Sequence, residues 1–547
     1  MLLEPLDLAV FIGYCCLIVG MGLFVSREKK GHIKDSKDYF LASKALPWWA
    51  VGASLIASNI SAEQFIGMSG SGFALGLAIA TYEWMAAATL LVVAIFFLPV
   101  YIKKGIYTMP GFLLDRYDAR VRTTMAVFWL LLYVFVNLTS VLYLGSLTLN
   151  TMLDIPLQYG IIGLALFAMV YSIYGGLKAV AWTDVVQVFF LVAGGLATTY
   201  LALSIVGEGD VISGLSLLRQ EVPGHFSMIL EKGEMMISDG KGGQYDAYMD
   251  LPGLSVLVGG MWVVNLSYWG FNQYITQRAL AAKDLNQAQL GMIFAGFLKL
   301  LMPLIVVIPG IAAWVIYSKG TDASFIQSMT DPLTGLVKSD RAYPTLLQLL
   351  PSGLKGLAFA ALTAAIVSSL ASMANSTATI FTMDIYKQYI NKEASETKQV
   401  KVGRLAALVA FVIAALVAPA LGTLDQAFQF IQEYSGFVSP GVFAIFFFGV
   451  FWKKTTSNAA LTAAVLVIPL STALKFGMPD LPFIDRVGVV FLIISALIIA
   501  ISLFEGKGKD HPKGIEVNRE LFKTSMVFKI GAIMISALIA VLYIIFW

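Results

Sequence analysis

Two cysteines and three histidines in 547 residues leave little material for several kinds of chemistry. Cys15 and Cys16 are adjacent in an apolar run, too close for an ordinary bridge, and no spacing suits a zinc site. His32, His225 and His511 each fall in a segment that reads as a loop, so a histidine-based metal site or catalytic triad has almost nothing to build on. That scarcity weighs against a membrane enzyme. Charge is scarce as well: Asp, Glu, Lys and Arg make up 13% of the chain, against about a quarter in a soluble domain.

What replaces charge is apolar surface, at 58% of residues, gathered in runs long enough to cross a hydrocarbon core. Backbone in lipid must satisfy itself, so these runs read as helices of an all-α polytopic membrane protein. They predict about fourteen spans, near 5–25, 48–72, 77–101, 123–150, 157–173, 183–205, 252–275, 286–317, 355–384, 405–422, 426–451, 457–474, 486–504 and 526–546. The first lacks the basic flank and small-residue cleavage site of a signal peptide and reads as a permanent helix. With the N-terminus outside, the inward loops hold 26 of the 37 Lys and Arg residues, so the positive-inside rule places both termini on the outer side. The net charge of +3 is then a topology signal and calls for no nucleic acid.

Two spans carry the wrong residues in their middles. The second, over 50–72, carries Ala57-Ser-Asn59-Ile-Ser-Ala-Glu-Gln64-Phe-Ile-Gly-Met68, and the seventh reads Val258-Gly-Gly-Met-Trp-Val-Val-Asn265-Leu-Ser267-Tyr268-Trp-Gly270-Phe-Asn272-Gln273, so that amides, hydroxyls and glycines stand where a plain span carries Leu and Val. Small polar residues often serve only close packing. Two such stretches opening two sets of five spans (2–6 and 7–11) instead predict interrupted helices in inverted repeats, where unwound carbonyls meet an ion and its substrate. Span 9 adds Ala361, Ala365, Ser368, Ser372 and Ser376 at steps of three and four, one small and partly hydroxylated face, with Ser369 beside it. Hydroxyl and carbonyl oxygens there suit a hard monovalent cation, and no carboxylate cluster of the kind calcium favours accompanies them.

Ionisable groups in apolar runs need a wet cavity or a partner. Lys299 in span 8 and Glu83 in span 3 are the outstanding pair: they either bridge each other or offer charged hydrogen bonds to a polyhydroxylated ligand. Gln64, Asn265 and Gln432 complete a donor and acceptor set, and Tyr82, Tyr268 and Phe428 are placed to stack on a ring or close its exits. The core spans as drawn contain no arginine, which leaves Lys299 as the one buried cation and disfavours an anionic substrate.

Four stretches are long enough to carry a resemblance: residues 57–72, 135–145, 171–179 and 365–384. Through them the chain resembles the sodium/solute symporter family, in its sodium/glucose cotransporter branch, from about residue 5 to the C-terminus. The resemblance implies a LeuT-type fold with inverted five-helix repeats at 48–205 and 252–451, an outward loop at 206–251, an extra helix at 5–25 and extra C-terminal helices at 457–546. It implies sodium-coupled uptake of a monosaccharide, galactose or glucose, by a multi-pass protein of the bacterial inner membrane, with no organic cofactor. Sodium would be held by Ala57, Ile60 and Ala365 carbonyls with the Ser368 and Ser369 hydroxyls, and the sugar by Gln64, Glu83, Asn265, Lys299 and Gln432. Met68, Tyr82 and Phe428 would form the outer lid, Tyr268 the inner one with Asn59 beside it, and Asp184 would lie on the ion's inward path. The pattern is departed from at Ala86, where a galactose-carrying member has serine, and at Ser267, where it has tyrosine.

Overall fold

Because backbone in hydrocarbon must pair within its own segment, the apolar runs are answered almost wholly by helices. A computed structural model describes residues 3–25, 44–106, 108–239, 242–320, 322–332, 334–423 and 426–547. Among them ten helices are long and apolar enough to cross a membrane, or up to twelve with each of two bent pairs taken as one span. Most of the basic segment at 26–47, with His32, lies outside the described residues.

Span 2 breaks where its polar residues predict. The helix Trp48–Asn59 stops, Ile60 turns extended (φ −75°, ψ 95°), and helical backbone resumes over Glu63–Met68 and Ser69–Leu75. The restart is a capping box: Ser61 N–H donates to Gln64 Oε1 at 3.3 Å, and Glu63 N–H donates to Ser61 Oγ at 3.2 Å. Side chains thus take over backbone groups that a continuous helix would have paired.

Span 7 is interrupted near both ends of its marked stretch. Between the breaks it is intact helix from Gly260 to Phe271, where Asn265 Nδ2 donates to its own helix at Met261 O, 3.2 Å away. A bend of 81° falls at Gly259. There the chain presses on a neighbouring helix so closely that a Cβ on Gly260 would lie 1.9 Å from Ile484 O. A second break follows at Asn272, also extended, before the short helix Gln273–Leu280. The loop expected at 174–183 is helical too, so the apolar stretches of spans 5 and 6 follow one another inside the helix Leu157–Val206.

The centre of the molecule is the helix Leu354–Ile380, buried along most of its length, with Leu157–Val206 and Pro5–Val25 packed against it. Asp7 ties the first helix to it by accepting from Gly353 N and Gly356 N at 2.7 and 2.9 Å, at the positive end of the helix dipole. The segment 206–251 carries the helix Val211–Glu221 and the antiparallel pair Met236–Ser238 and Gln244–Asp246. It reaches back to the membrane part through Tyr245, whose hydroxyl accepts from Gln426 Nε2 at 3.4 Å.

Leu285–Lys319 is the partner along which both halves of the broken span lie. The fit depends on glycine: a Cβ on Gly310 would stand 2.2 Å from Ser69 O, and one on Gly72 would stand 2.9 Å from Val307 O. Gly310→Val should therefore cost about 1–3 kcal/mol as overpacking and lower the melting temperature in detergent. Gly163→Val, at an exposed glycine with nothing within 4 Å, should leave it unchanged. Equal melting of the two variants would contradict this packing.

Candidate functional site

The break in span 2 does two things to the oxygens around it. In a continuous helix Ala57 O would accept from Ser61 N–H and Ile60 O from Gln64 N–H. Ser61 N–H has turned to Gln64 Oε1, and Gln64 N–H to Ser61 O at 3.2 Å, so both carbonyls are released. Ser369 Oγ, on the central helix, meets Ala57 O at 3.2 Å. Ser368 Oγ donates to Asp184 Oδ1 at 2.6 Å, and Ser54 Oγ donates to Asp184 Oδ2 at 2.6 Å. A hydroxyl that spends its proton on Asp184 keeps its lone pairs for a cation. Ala57, Ile60, Ala365, Ser368 and Ser369 are all buried within this region. The hydroxylated face of span 9 continues as read from spacing: Ser372 Oγ accepts from Arg278 and Ser376 Oγ donates to Gln277.

Arg278 corrects one expectation. Lys299 is not the sole buried cation; Arg278 is 1% exposed, donating to Ser58 Oγ at 3.0 Å and Ser372 Oγ at 2.5 Å. It escaped notice because span 7 ends early in hydropathy, while the chain remains buried through Leu280. Arg116, Arg122 and Arg486 are buried as well. None of the four lines the polar cavity described next.

That cavity gathers Gln64, Glu83, Asn265, Lys299 and Gln432 with Asn59, Tyr82, Tyr268 and Phe428. Lys299 and Glu83 bridge each other, the ammonium donating to Glu83 Oε2 at 2.6 Å, and both residues line the cavity. Lys299 also donates to Asn59 Oδ1 and stands 5.0 Å over the Trp269 ring. Pro303, four residues on, has no N–H for the Lys299 carbonyl, so the lysine sits where its helix ladder is interrupted. Asn59 passes the connection on by donating through Nδ2 to Tyr268 Oη at 3.0 Å, and Tyr268 shares a hydrogen bond of 2.6 Å with Tyr274. On the opposite wall Tyr82 meets Phe428 edge to face, centroids 5.2 Å apart, and Gly67 admits the Phe428 Cβ at close range. Met68 is buried and does not line the cavity.

Ala86 and Ser267, the two departures, both line it. So do residues that the sequence did not single out for a role: Glu63, Asn137, Trp269 and Asn272. Glu63 Oε1 and Asn137 Oδ1 are buried without a hydrogen-bond partner. Glu63 was legible as a carboxylate in an apolar run, by the same rule that picks out Glu83 and Lys299. Among the described residues no group of three or more His, Cys, Asp or Glu side chains is placed to hold a metal.

Lys299→Met should destabilise the protein by about 3–5 kcal/mol, because Glu83 is left charged and buried. Lys299→Met with Glu83→Leu should melt closer to the parent than Lys299→Met alone. A double variant at least as unstable as the single one would contradict a charge-balanced pair.

The Sodium:solute symporter family matches residues 39–466. A sodium/glucose cotransporter of Vibrio parahaemolyticus is 56% identical, covering 100% of this chain and 99% of its own length. A sodium/myo-inositol cotransporter 2 of Sus scrofa is 35% identical over 85% of this chain and 69% of its own. In fold, the chain is similar to an outward-open Na+-coupled sialic acid symporter (TM-score 0.77, 22% identity, 92% of this chain and 98% of that one). Broken span, central helix and cavity stand in a LeuT-type arrangement, and the chain belongs to the sodium:solute symporter family.

Proposed function

We propose that the protein is a secondary active symporter that couples inward sodium flow to uptake of a monosaccharide, glucose or galactose, across a bacterial inner membrane. Full-length similarity to a sodium/glucose cotransporter supports the substrate class. The observation that carries the mechanism is the capping box, because it joins the two sites in one residue. Gln64 Oε1 holds Ser61 N–H away from Ala57 O, and Gln64 also lines the cavity, with its amide N–H groups not used in that contact.

Sodium binds the released carbonyls of Ala57 and Ile60, with Ala365 O and the hydroxyls of Ser368 and Ser369. It fixes the broken helix against the central one. That fixes Gln64 and Asn59, and through Asn59 it fixes Lys299 and Tyr268. A sugar then finds donors at Lys299, Asn265 and Gln432 and acceptors at Glu83 and the free oxygens of Glu63 and Asn137. Phe428, Tyr82 and Met68 close above it and Tyr268 below. Opening the Asn59–Tyr268 contact releases the cargo inward, sodium leaving past Asp184. One ion travels with one sugar. The moving halves are the repeats 48–205 and 252–451, and both termini face outward.

Ser368→Ala with Ser369→Ala should raise the half-saturating sodium concentration at least about tenfold, equal to about 1.4 kcal/mol of lost ion binding, in proteoliposome uptake assays. Unchanged sodium dependence would contradict the ion site. In competition for uptake, glucose or galactose should displace labelled sugar at lower concentration than myo-inositol, and the reverse order would make the cargo a cyclitol.

A further inference from the structure

A second polar pocket lies away from the transport route, between the start of the helix Ala119–Leu132 and the segment Phe381–Ile390. Arg122, Lys387, Lys392, Gln388 and Thr108 line it with one carboxylate, Asp384. Arg122 is 5% exposed, yet its Nε and Nη2 have no hydrogen-bond partner. Asp384 Oδ1 stands 3.8 Å from Nε, beyond hydrogen-bond reach, and Asp384 Oδ2 is also unpartnered. A buried guanidinium with two open donors, two lysines at the rim and one open acceptor is a site short of its ligand. The balance of donors asks for an anionic oxygen group that also carries a hydroxyl.

The surroundings say where that group comes from. Ala119–Leu132 begins at the pocket and presents Val127 and Leu131 outward, 40% and 49% exposed. Glu396–Val417, which packs on Phe381–Ile390, begins on the same side and presents Leu405, Val409 and Val412. Both apolar stripes run from the basic end into the membrane, as acyl chains do. Tyr389, 55% exposed and within 2.5 Å of Thr123 Oγ1, marks the level where such a headgroup begins. The Lys and Arg distribution makes this the inward face, where anionic lipid is drawn to basic pockets between helices.

We infer that this pocket binds a phosphatidylglycerol-type lipid, its phosphate on Arg122, Lys387 and Lys392 and a glycerol hydroxyl donating to Asp384. The test is mass spectrometry of the intact detergent-purified protein titrated with phosphatidylglycerol and, separately, phosphatidylcholine. The wild type should retain phosphatidylglycerol in preference to phosphatidylcholine, and Lys387→Gln with Lys392→Gln should weaken that retention about tenfold or more. Lys507→Gln with Lys509→Gln, equal in charge but distant, should not. Asp384→Asn should narrow the preference for phosphatidylglycerol over phosphatidic acid. Both lysine pairs are at the surface, and melting temperatures confirm folded variants. Equal retention of the two lipids, or equal effects of the two lysine pairs, overturns the site. Displacement by free glycerol phosphate at the same concentration overturns the lipid as its occupant.

Discussion

A helix that stops inside a membrane leaves carbonyls and amides that lipid will not satisfy, and every one of them must find another partner. In this protein the stop at Ile60 is stabilised from below by Ser61 and Gln64, which close a capping box within the break itself. The carbonyls above it have no such local answer. Ala57 O is met by Ser369 from the central helix, and Ile60 O has lost its regular helical donor. The same three-residue interruption therefore builds an oxygen-rich place for a cation and aims an amide at the neighbouring cavity. Close glycine contacts along Leu285–Lys319 hold the two half-helices in register, so the break is a fixed feature of the packing.

Charge is arranged around that break in two separate sets. Lys299 and Glu83 neutralise each other beside the cavity, with Asn59 as the third member. Arg278 is enclosed by Ser58 and Ser372, on the ion's side of the same helices. With Glu63 also in its lining, the cavity has hydrogen-bonding power and no excess of positive charge, which suits a neutral polyol better than an anion. Asn59 is the last residue of the first half-helix and touches both Lys299 and the Tyr268 hydroxyl, so a shift of the break is felt at once by the charged pair and by Tyr268.

Much of this was legible beforehand, for identifiable reasons. A broken span 2 followed from amides and hydroxyls where a plain span carries leucine. The hydroxylated face of span 9 followed from steps of three and four, and Ser368, Ser369, Ser372 and Ser376 all use it. The interruption of span 7 was legible too, but not that its breaks fall near the ends of the marked stretch, at Gly259 and Asn272, because composition reports side chains and not which backbone groups they satisfy. Asn265 folds back on its own helix, and the bend lies beside Gly260, pressed against Ile484. Arg278 was missed because hydropathy ends a span at the first run of polar residues, although a short buried helix carries on beyond it. Glu63, Asn137 and Asn272 come to the cavity through tertiary packing that no local pattern encodes.

If the break carries the coupling, ion and sugar must each change the other's affinity by one and the same factor. Sodium affinity measured with and without saturating sugar, and sugar affinity measured with and without saturating sodium, on the same purified protein, closes that cycle. The account predicts that both affinities rise by equal factors, and that Ser61→Ala with Gln64→Ala reduces both factors together. A sugar affinity indifferent to sodium would contradict it.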